Sequence, residues 1–276
     1  MTMKQKRKLT NLFLYIFLIA CAGVFLVPLL IMVLGSFKNS IEVTAFSLSL
    51  PEKWLFGNYV QGFNKDFIRA VVNSLMITGV SVIINIALAS MASFIIVRRT
   101  GKFSSFLYYF FFMGSLIPQQ VIPTIKMLKT MHFYGTIPSA ILMYIVINLP
   151  FACFLYAGFI KGVSRTIDEA AIIDGAGCFQ VYYKIVLPLL KPINITVLII
   201  TFMNIWNDIN IPLYFLSNPK YWTVPLTVYG YFGKYNGSNW ELVFASLVLI
   251  ALPIVIVYLM GQKYIVSGLT SGAVKQ

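Results

Sequence analysis

The chain has 276 residues, of which 59% are hydrophobic and only 11% are charged, and its formal net charge is +13. Soluble domains carry about 25% charged residues, so this composition excludes an ordinary soluble protein and predicts an all-α integral membrane protein. The basic residues form short clusters beside apolar runs, a pattern that is typical of a membrane topology signal and argues against nucleic-acid binding.

Six apolar segments are each long enough to cross about 30 Å of hydrocarbon as a helix. The third is irregular, because Pro118 and Pro123 bracket two glutamines, and we expect a kink there that faces protein. No internal repeat or linker is evident, so residues 1–276 are predicted to form a single transmembrane domain with a core at residues 69–260. The six predicted spans are residues 12–34, 69–97, 103–126, 136–160, 193–216 and 241–260.

The distribution of Lys and Arg predicts how these spans are oriented. Thirteen of the 21 basic residues fall on one side of the membrane, including the clusters KQKRK at residues 4–8 and RRTGK at residues 98–102. Positively charged loops are retained in the cytoplasm. We therefore expect both termini, the tail at residues 262–276 and the loop at about residues 161–192 to be cytoplasmic.

The predicted cytoplasmic loop begins with a helix-start pattern. Thr166 and Glu169 have the T-x-x-E spacing of a capping box, which predicts a short helix over about Ile167–Asp174. Gly175 and Gly177 follow this helix and are expected to provide the turn after it. The carboxylates of a solvated loop favour helix capping over acid–base chemistry.

A second short helix, predicted over residues 179–186, carries Phe179, Tyr182 and Tyr183. Aromatic side chains beside a turn of small residues favour a contact with a protein partner. From the residues alone, an amphipathic loop lying on the bilayer surface is an equally good interpretation.

The loop contains a spaced pattern of small, acidic and apolar residues: Asp168, Glu169-Ala170-Ala171, Asp174-Gly175-Ala176 and Ile185-x-Leu187-Pro188. This pattern resembles the EAA loop of ABC importer permeases, and its spacing matches throughout. The flanking aspartates match the DEAAxxDGA version of sugar importers.

Matches outside the loop extend the resemblance over most of the chain. Ile209 departs from the family pattern, since it replaces the phenylalanine of a WNDF motif. The tail QKYIVSGLTSGAVKQ, residues 262–276, is similar to that of permease subunits of the maltose-transporter G type. The other matching segments are IPQQVIP in the third span, Asn148-Leu149-Pro150 in the fourth, and Trp206-Asn207-Asp208 with Pro212 in the fifth.

The resemblance implies a type I ABC importer permease in a bacterial inner membrane, with a carbohydrate, and more specifically an oligosaccharide, as substrate. It implies four partners: a homologous second permease, a cytoplasmic ATPase dimer, an extracytoplasmic solute-binding protein and membrane lipid. By the same resemblance, the loop residues that contact the ATPase are Glu169, Ala170, Ala171, Asp174 and Gly175.

No GxxxxGK[ST] phosphate loop occurs in the sequence, and His132 is the sole histidine. We therefore expect no catalytic residue, cofactor or metal site in this chain, with ATP and Mg²⁺ bound by the partner ATPase. An importer of another solute, such as glycerol phosphate or an amino acid, is the alternative within the class. A channel or ion-coupled carrier is the alternative outside it.

Polar residues in the fifth predicted span lie on one helix face: Asn194, Thr201, Asn204 and Asp208. Asp208 is the only carboxylate deep in an apolar run, where an ionisable group faces the protein interior or a water-filled cavity. Asn204 and Asp208 are candidates for a substrate path, with hydrogen bonding between helices as the competing interpretation. Asn194 is expected to hold helices together.

Overall fold

The computed structural model describes the backbone of residues 3–230, 232–233 and 237–273 and the side chains of residues 11–230 and 239–262. Most of this part of the chain is helical. Its α-helices are α1 (Met3–Gly35), α2 (Gly57–Gly62), α3 (Lys65–Arg98), α4 (Lys102–Leu116), α5 (Val121–Thr130), α6 (Ile137–Gly162), α7 (Thr166–Ile173), α8 (Cys178–Gln180), α9 (Leu187–Leu189), α10 (Lys191–Asn207), α11 (Asn210–Phe215), α12 (Val224–Tyr229) and α13 (Trp240–Ala273). Shorter elements are the 3₁₀ helices Glu42–Ala45 and Pro219–Tyr221, the π-helix Val181–Val186, and the antiparallel strands β1 (Phe232–Gly233) and β2 (Gly237–Ser238).

Four helices in the described residues are long and apolar enough to cross a membrane: Asn11–Gly35, Lys65–Arg98, Ile137–Gly162 and Trp240–Gln262. They coincide with the first, second, fourth and sixth predicted spans. A fifth candidate arises if Cys178–Leu189 and Lys191–Asn207, which meet at a bend of 73°, count as one span. Apart from the two-residue strands β1 and β2, the described chain is thus a helical membrane protein, but the structure does not establish six spans.

The third predicted span is two helices rather than one kinked helix. α4 ends at Leu116, and Ile117 is extended, with φ −76° and ψ 123°. A residue that precedes proline is forced out of the helical region, and Pro118 also lacks a backbone donor. Pro123 is tolerated in the first turn of α5, where its missing N–H has no intrahelical partner to lose.

The fifth predicted span is wrong as a continuous helix, because α10 stops at Asn207. Asp208 adopts an extended conformation, with φ −75° and ψ 135°. Its carboxylate accepts hydrogen bonds from the N–H groups of Asn210 (3.1 Å) and Ile211 (2.9 Å), the first residues of α11. Asp208 therefore ends one helix and caps the next.

The chain divides into two compact units, Met1–Phe67 with Val228–Leu252 and Ile68–Thr227 with Pro253–Gln276. In the first unit, the buried Lys38 holds the segment after α1: its Nζ donates to Ser47 O (2.9 Å) and Ser49 Oγ (3.1 Å). Asn58 Nδ2 donates to the carbonyl of Lys38 at 2.8 Å. The two serine contacts give the buried ammonium group neutral partners, and the Asn58 contact satisfies the backbone of Lys38.

In the second unit, α3 and α6 pack through small residues. Ala89 and Ser93 of α3 are fully buried, and Ser93 Oγ donates to the Cys153 carbonyl of α6 at 2.9 Å. Small residues permit such close approach in lipid, where helices gain no hydrophobic drive from association. This packed pair is the framework for the loop that follows α6.

Candidate functional site

The loop between α6 and α10 starts its first helix, α7, one residue earlier than predicted. Thr166 already lies inside α7, so its predicted role as the N-cap of a capping box is wrong. Ser164 lies two residues before Thr166, and its Oγ accepts the N–H of Thr166 at 3.2 Å. The Arg165 carbonyl accepts the N–H of Glu169 at 3.0 Å, which closes the first helical turn.

The end of α7 is closed by Gly175. Its φ of +84° lies in the left-handed region that favours glycine. The N–H of Ala176 bonds to the carbonyl of Ala171 (2.9 Å), and the N–H of Gly175 bonds to that of Ile172 (3.0 Å). This pair of bonds is a Schellman motif, so the predicted turn at Gly175 is confirmed. Gly177 has φ −71°, a conformation that does not require glycine.

The second part of the loop contains a π-helical turn over Val181–Val186. It buries Tyr182, whose hydroxyl lies 2.7 Å from Ser90 Oγ and whose ring centroid lies 5.5 Å from that of Phe94. The prediction that Tyr182 lies on the surface with Phe179 and Tyr183 is therefore wrong for Tyr182. Its ring fills space against α3, whereas the other two aromatic rings are exposed.

Four of the five predicted contact residues are exposed: Glu169, Ala170, Asp174 and Gly175. Ala171 is the exception, since it is 8% exposed and packs in the core formed with α3, α6 and α10. Its methyl group holds α7 against the protein and does not belong to the open face.

Sequence reasoning missed an apolar patch beside these residues. We define the apolar patch as Ile172, Ile173, Phe179 and Tyr183, all of which are exposed, Ile173 at 85%. Helical spacing contained the signal, because Ile173 follows Ala170 by three residues and Glu169 by four, which puts all three on one face. Large exposed apolar groups next to a small-residue turn are suited to contact with another protein.

A buried ion pair joins α7 to the end of α3. Arg98 Nε lies 2.5 Å from Asp168 Oδ2, and the two side chains are only 12% and 11% exposed. From the sequence, Arg98 belongs to a topology cluster and Asp168 to the solvated capping groups. The pair was missed because its members are 70 positions apart and no local pattern joins them.

The polar residues of the fifth predicted span do not share one environment. Asn194 Oδ1 accepts a hydrogen bond from the Tyr156 hydroxyl at 2.7 Å, which is the interhelical role expected for it. Thr201 is buried, and Asp208 Oδ2 accepts from the Tyr144 hydroxyl at 3.0 Å. Asn204 alone of the four is exposed, and Asp208 lies beyond the end of α10, so the four side chains differ in environment.

A cavity of about 1000 Å³ lies between α4, α5 and α6, at the break between α4 and α5. Its wall is mostly apolar and includes aromatic rings of α4 and two amides at the helix break. These residues are Phe106, Tyr109, Phe110, Gln119 and Gln120.

Comparison with known proteins gives concordant matches. Residues 81–271 match the family described as "Binding-protein-dependent transport system inner membrane component". The chain is 35% identical, over 90% of its length and 91% of the relative's, to the probable starch degradation products transport system permease protein AmyC of Thermoanaerobacterium thermosulfurigenes. It is 33% identical to the multiple sugar-binding transport system permease protein MsmG of Streptococcus mutans, over 99% and 100% of the two chains.

The fold is similar to that of a solved structure. A chain of a bacterial ABC transporter involved in the import of the acidic polysaccharide alginate superposes with a TM-score of 0.79 at 19% identity. The match covers 94% of this chain and 97% of that one. The same helical architecture thus occurs in a protein of low sequence identity.

Proposed function

The chain belongs to the family of inner membrane components of binding-protein-dependent transport systems, and we propose that it forms half of an oligosaccharide path and receives ATP-driven motion through the loop that contains α7. It is the permease subunit of a sugar ABC importer, as its relatives' names and its fold indicate together. The name of AmyC, which refers to starch degradation products, supports the proposed substrate class.

The observation that carries the coupling role is the open face of α7. Glu169, Ala170, Asp174 and Gly175 are exposed, and Ile173 projects from the same face. A carboxylate beside apolar and small residues can form a charged contact within an otherwise close-packed interface. We propose that the ATPase subunit covers this face, and that Ala171 supports it from below.

The proposed topology has six spans, with both termini and the α7 loop in the cytoplasm. In this arrangement α4 and α5 together make the third crossing, and α10 with α11 makes the fifth. α10 has 17 residues, which reach about 26 Å at 1.5 Å per residue, so the α11 turn supplies the remainder of the bilayer. The excess of Lys and Arg on the loop side supports this orientation. The C-terminal tail residues 269–275, proposed to reach the ATPase, lie outside the described side chains.

The proposed substrate path uses Asn204 and Asp208 differently. Asn204 is exposed and offers an amide to sugar hydroxyl groups. Asp208 already accepts bonds from Tyr144 and from the start of α11, so its role is to hold the helix break in place beside the path. The second permease supplies the facing wall, the solute-binding protein delivers the sugar outside, and the ATPase dimer binds ATP and Mg²⁺.

Affinity purification of the tagged chain from its own host in mild detergent tests this assignment. We expect an ATPase, a second permease and a solute-binding protein to be recovered with it, and ATP hydrolysis in the purified complex. Deletion of the gene should abolish uptake of labelled malto-oligosaccharides or raffinose-type oligosaccharides, tested as a panel. Recovery without an ATPase, or unchanged uptake of every sugar in the panel, would contradict the proposal.

A further inference from the structure

The end of α3 and the start of the α7 loop exchange arginine contacts. Arg98 of α3 donates from Nη1 to the carbonyl of Val163 in the loop at 3.1 Å. In return, Arg165 of the loop donates from Nη2 to the carbonyl of Val97 in α3 at 2.9 Å. The last carbonyls of a helix have no intrahelical donor, and a cation at this end also interacts favourably with the helix dipole. Each arginine therefore satisfies the backbone of the other segment.

The Arg98–Asp168 ion pair adds a third contact within the same few residues. Desolvation of two charges is costly, so a buried ion pair is weak evidence for net stability. It does favour one geometry, because any displacement of α7 would leave a buried charge without its partner. The charges thus fix where α7 lies more than they strengthen the fold.

A second point of attachment lies further along α3. Ser90 and Tyr182 are joined by their hydroxyl groups at 2.7 Å, eight residues before Arg98. At 1.5 Å per residue, the two attachments are about 12 Å apart along the helix axis. Two separated attachments fix the orientation of the loop on α3 as well as its position.

We propose that Arg98, Asp168 and Arg165 act as positioning residues for coupling: they clamp α7 to the end of α3, so that the proposed ATPase contact and α3 move as one body. This inference rests on the proposed function of the α7 loop. It assigns α3 as a helix to which that loop transmits motion, in addition to α6 and α10, which are joined to the loop by the peptide chain.

Amide hydrogen exchange of residues 166–176, measured on the detergent-purified chain, tests the clamp without the ATPase. Arg98→Ala and Asp168→Asn should each accelerate exchange in α7 by about tenfold, while exchange in α6 stays unchanged. Asp168→Asn keeps the shape of the side chain, so it remains informative where Arg98→Ala fails to fold. Lys161→Ala is the matched control: Lys161 is an exposed cation of the same region whose ammonium lies over the Tyr108 ring, and its loss should leave α7 exchange unchanged.

Recovery of the ATPase with each variant then tests the positioning role. We expect at least a tenfold loss for Arg98→Ala and Asp168→Asn and no loss for Lys161→Ala. Unchanged α7 exchange in Asp168→Asn would overturn the clamp. Faster exchange with full ATPase recovery would overturn its role in coupling. Failure of the unaltered chain to recover an ATPase would instead refute the proposed function itself.

Discussion

Gly175 and Gly177 offer a matched test of the turn that ends α7. A Cβ built at either position meets nothing within 4 Å, so the two sites differ in backbone conformation and not in space. An L side chain at φ +84° costs roughly 1–2 kcal/mol, a 5–30-fold shift toward an open turn. Gly177 lies at the N-cap of α8 with φ −71°, where serine is a favoured residue. We therefore expect Gly175→Ser to open the turn and Gly177→Ser to leave it closed.

The opened turn would be observed as faster amide exchange at Gly175 and Ala176, whose N–H groups bond to α7 carbonyls. The same preparations should show less ATPase recovered with Gly175→Ser and wild-type recovery with Gly177→Ser. Gly175→Asn should fall between them, because asparagine visits the left-handed region more readily than serine. Equal amide exchange at residues 175 and 176 in the two serine variants would refute the claim that position 175 requires glycine.

Four further predictions concern separate contacts. Glu169→Lys should reduce ATPase recovery at least tenfold without a change in membrane insertion, measured by quantitative immunoblotting of washed membranes; normal recovery would count against the α7 contact. Tyr182→Phe should lower the free energy of unfolding by about 0.5–1.5 kcal/mol in thermal melts. It should cause no further loss in the Ser90→Ala background, because both substitutions remove the same Ser90–Tyr182 hydrogen bond. Additive losses would contradict this. Asp208→Ala should destabilise the chain by about 1–2 kcal/mol through loss of the α11 cap, whereas Asn204→Ala should leave the melting temperature unchanged and impair only sugar uptake. Gly261→Ala should cost about 1–3 kcal/mol, because its Cβ would collide with Ile199, and Ile199→Ala should recover part of that loss.

Composition and local pattern predicted the features that depend on neighbouring residues. Four spans follow from apolar length alone, and the left-handed Gly175 follows from its place after a short helix. The breaks in the third and fifth predicted spans were harder to anticipate, since they depend on whether local capping outweighs helix continuation. At Asp208 the carboxylate bonds to two N–H groups of α11, so the break is stabilised by groups that a helical periodicity count ignores.

Residues whose role depends on distant partners were misread for a common reason. The sequence predicts Tyr182 as a partner-contact aromatic beside Phe179 and Tyr183, yet its partners are Ser90 and Phe94 of α3. Asp168 was assigned to solvent, although Arg98 pairs with it. In both cases the partner residue lies on α3. A single sequence does not show which residues of α3 pack against which residues of the loop.

α3 carries contacts at both of its ends, which bears on how coupling crosses the membrane. Near its start, Asn73 Nδ2 donates to the carbonyl of Lys220 at 2.9 Å, and Ser74 Oγ accepts the N–H of Val224 at 2.9 Å. Near its end, Arg98 is paired with α7. From Asn73 to Arg98 the helix runs about 37 Å, more than the thickness of the hydrocarbon core. On the proposed coupling role of α7, we expect a displacement of α7 to be transmitted along α3 to the segment near Lys220, and the reverse. Because coupling free energy is reciprocal, an event at the segment near Lys220 would shift α7 by the same interaction energy with which α7 shifts that segment.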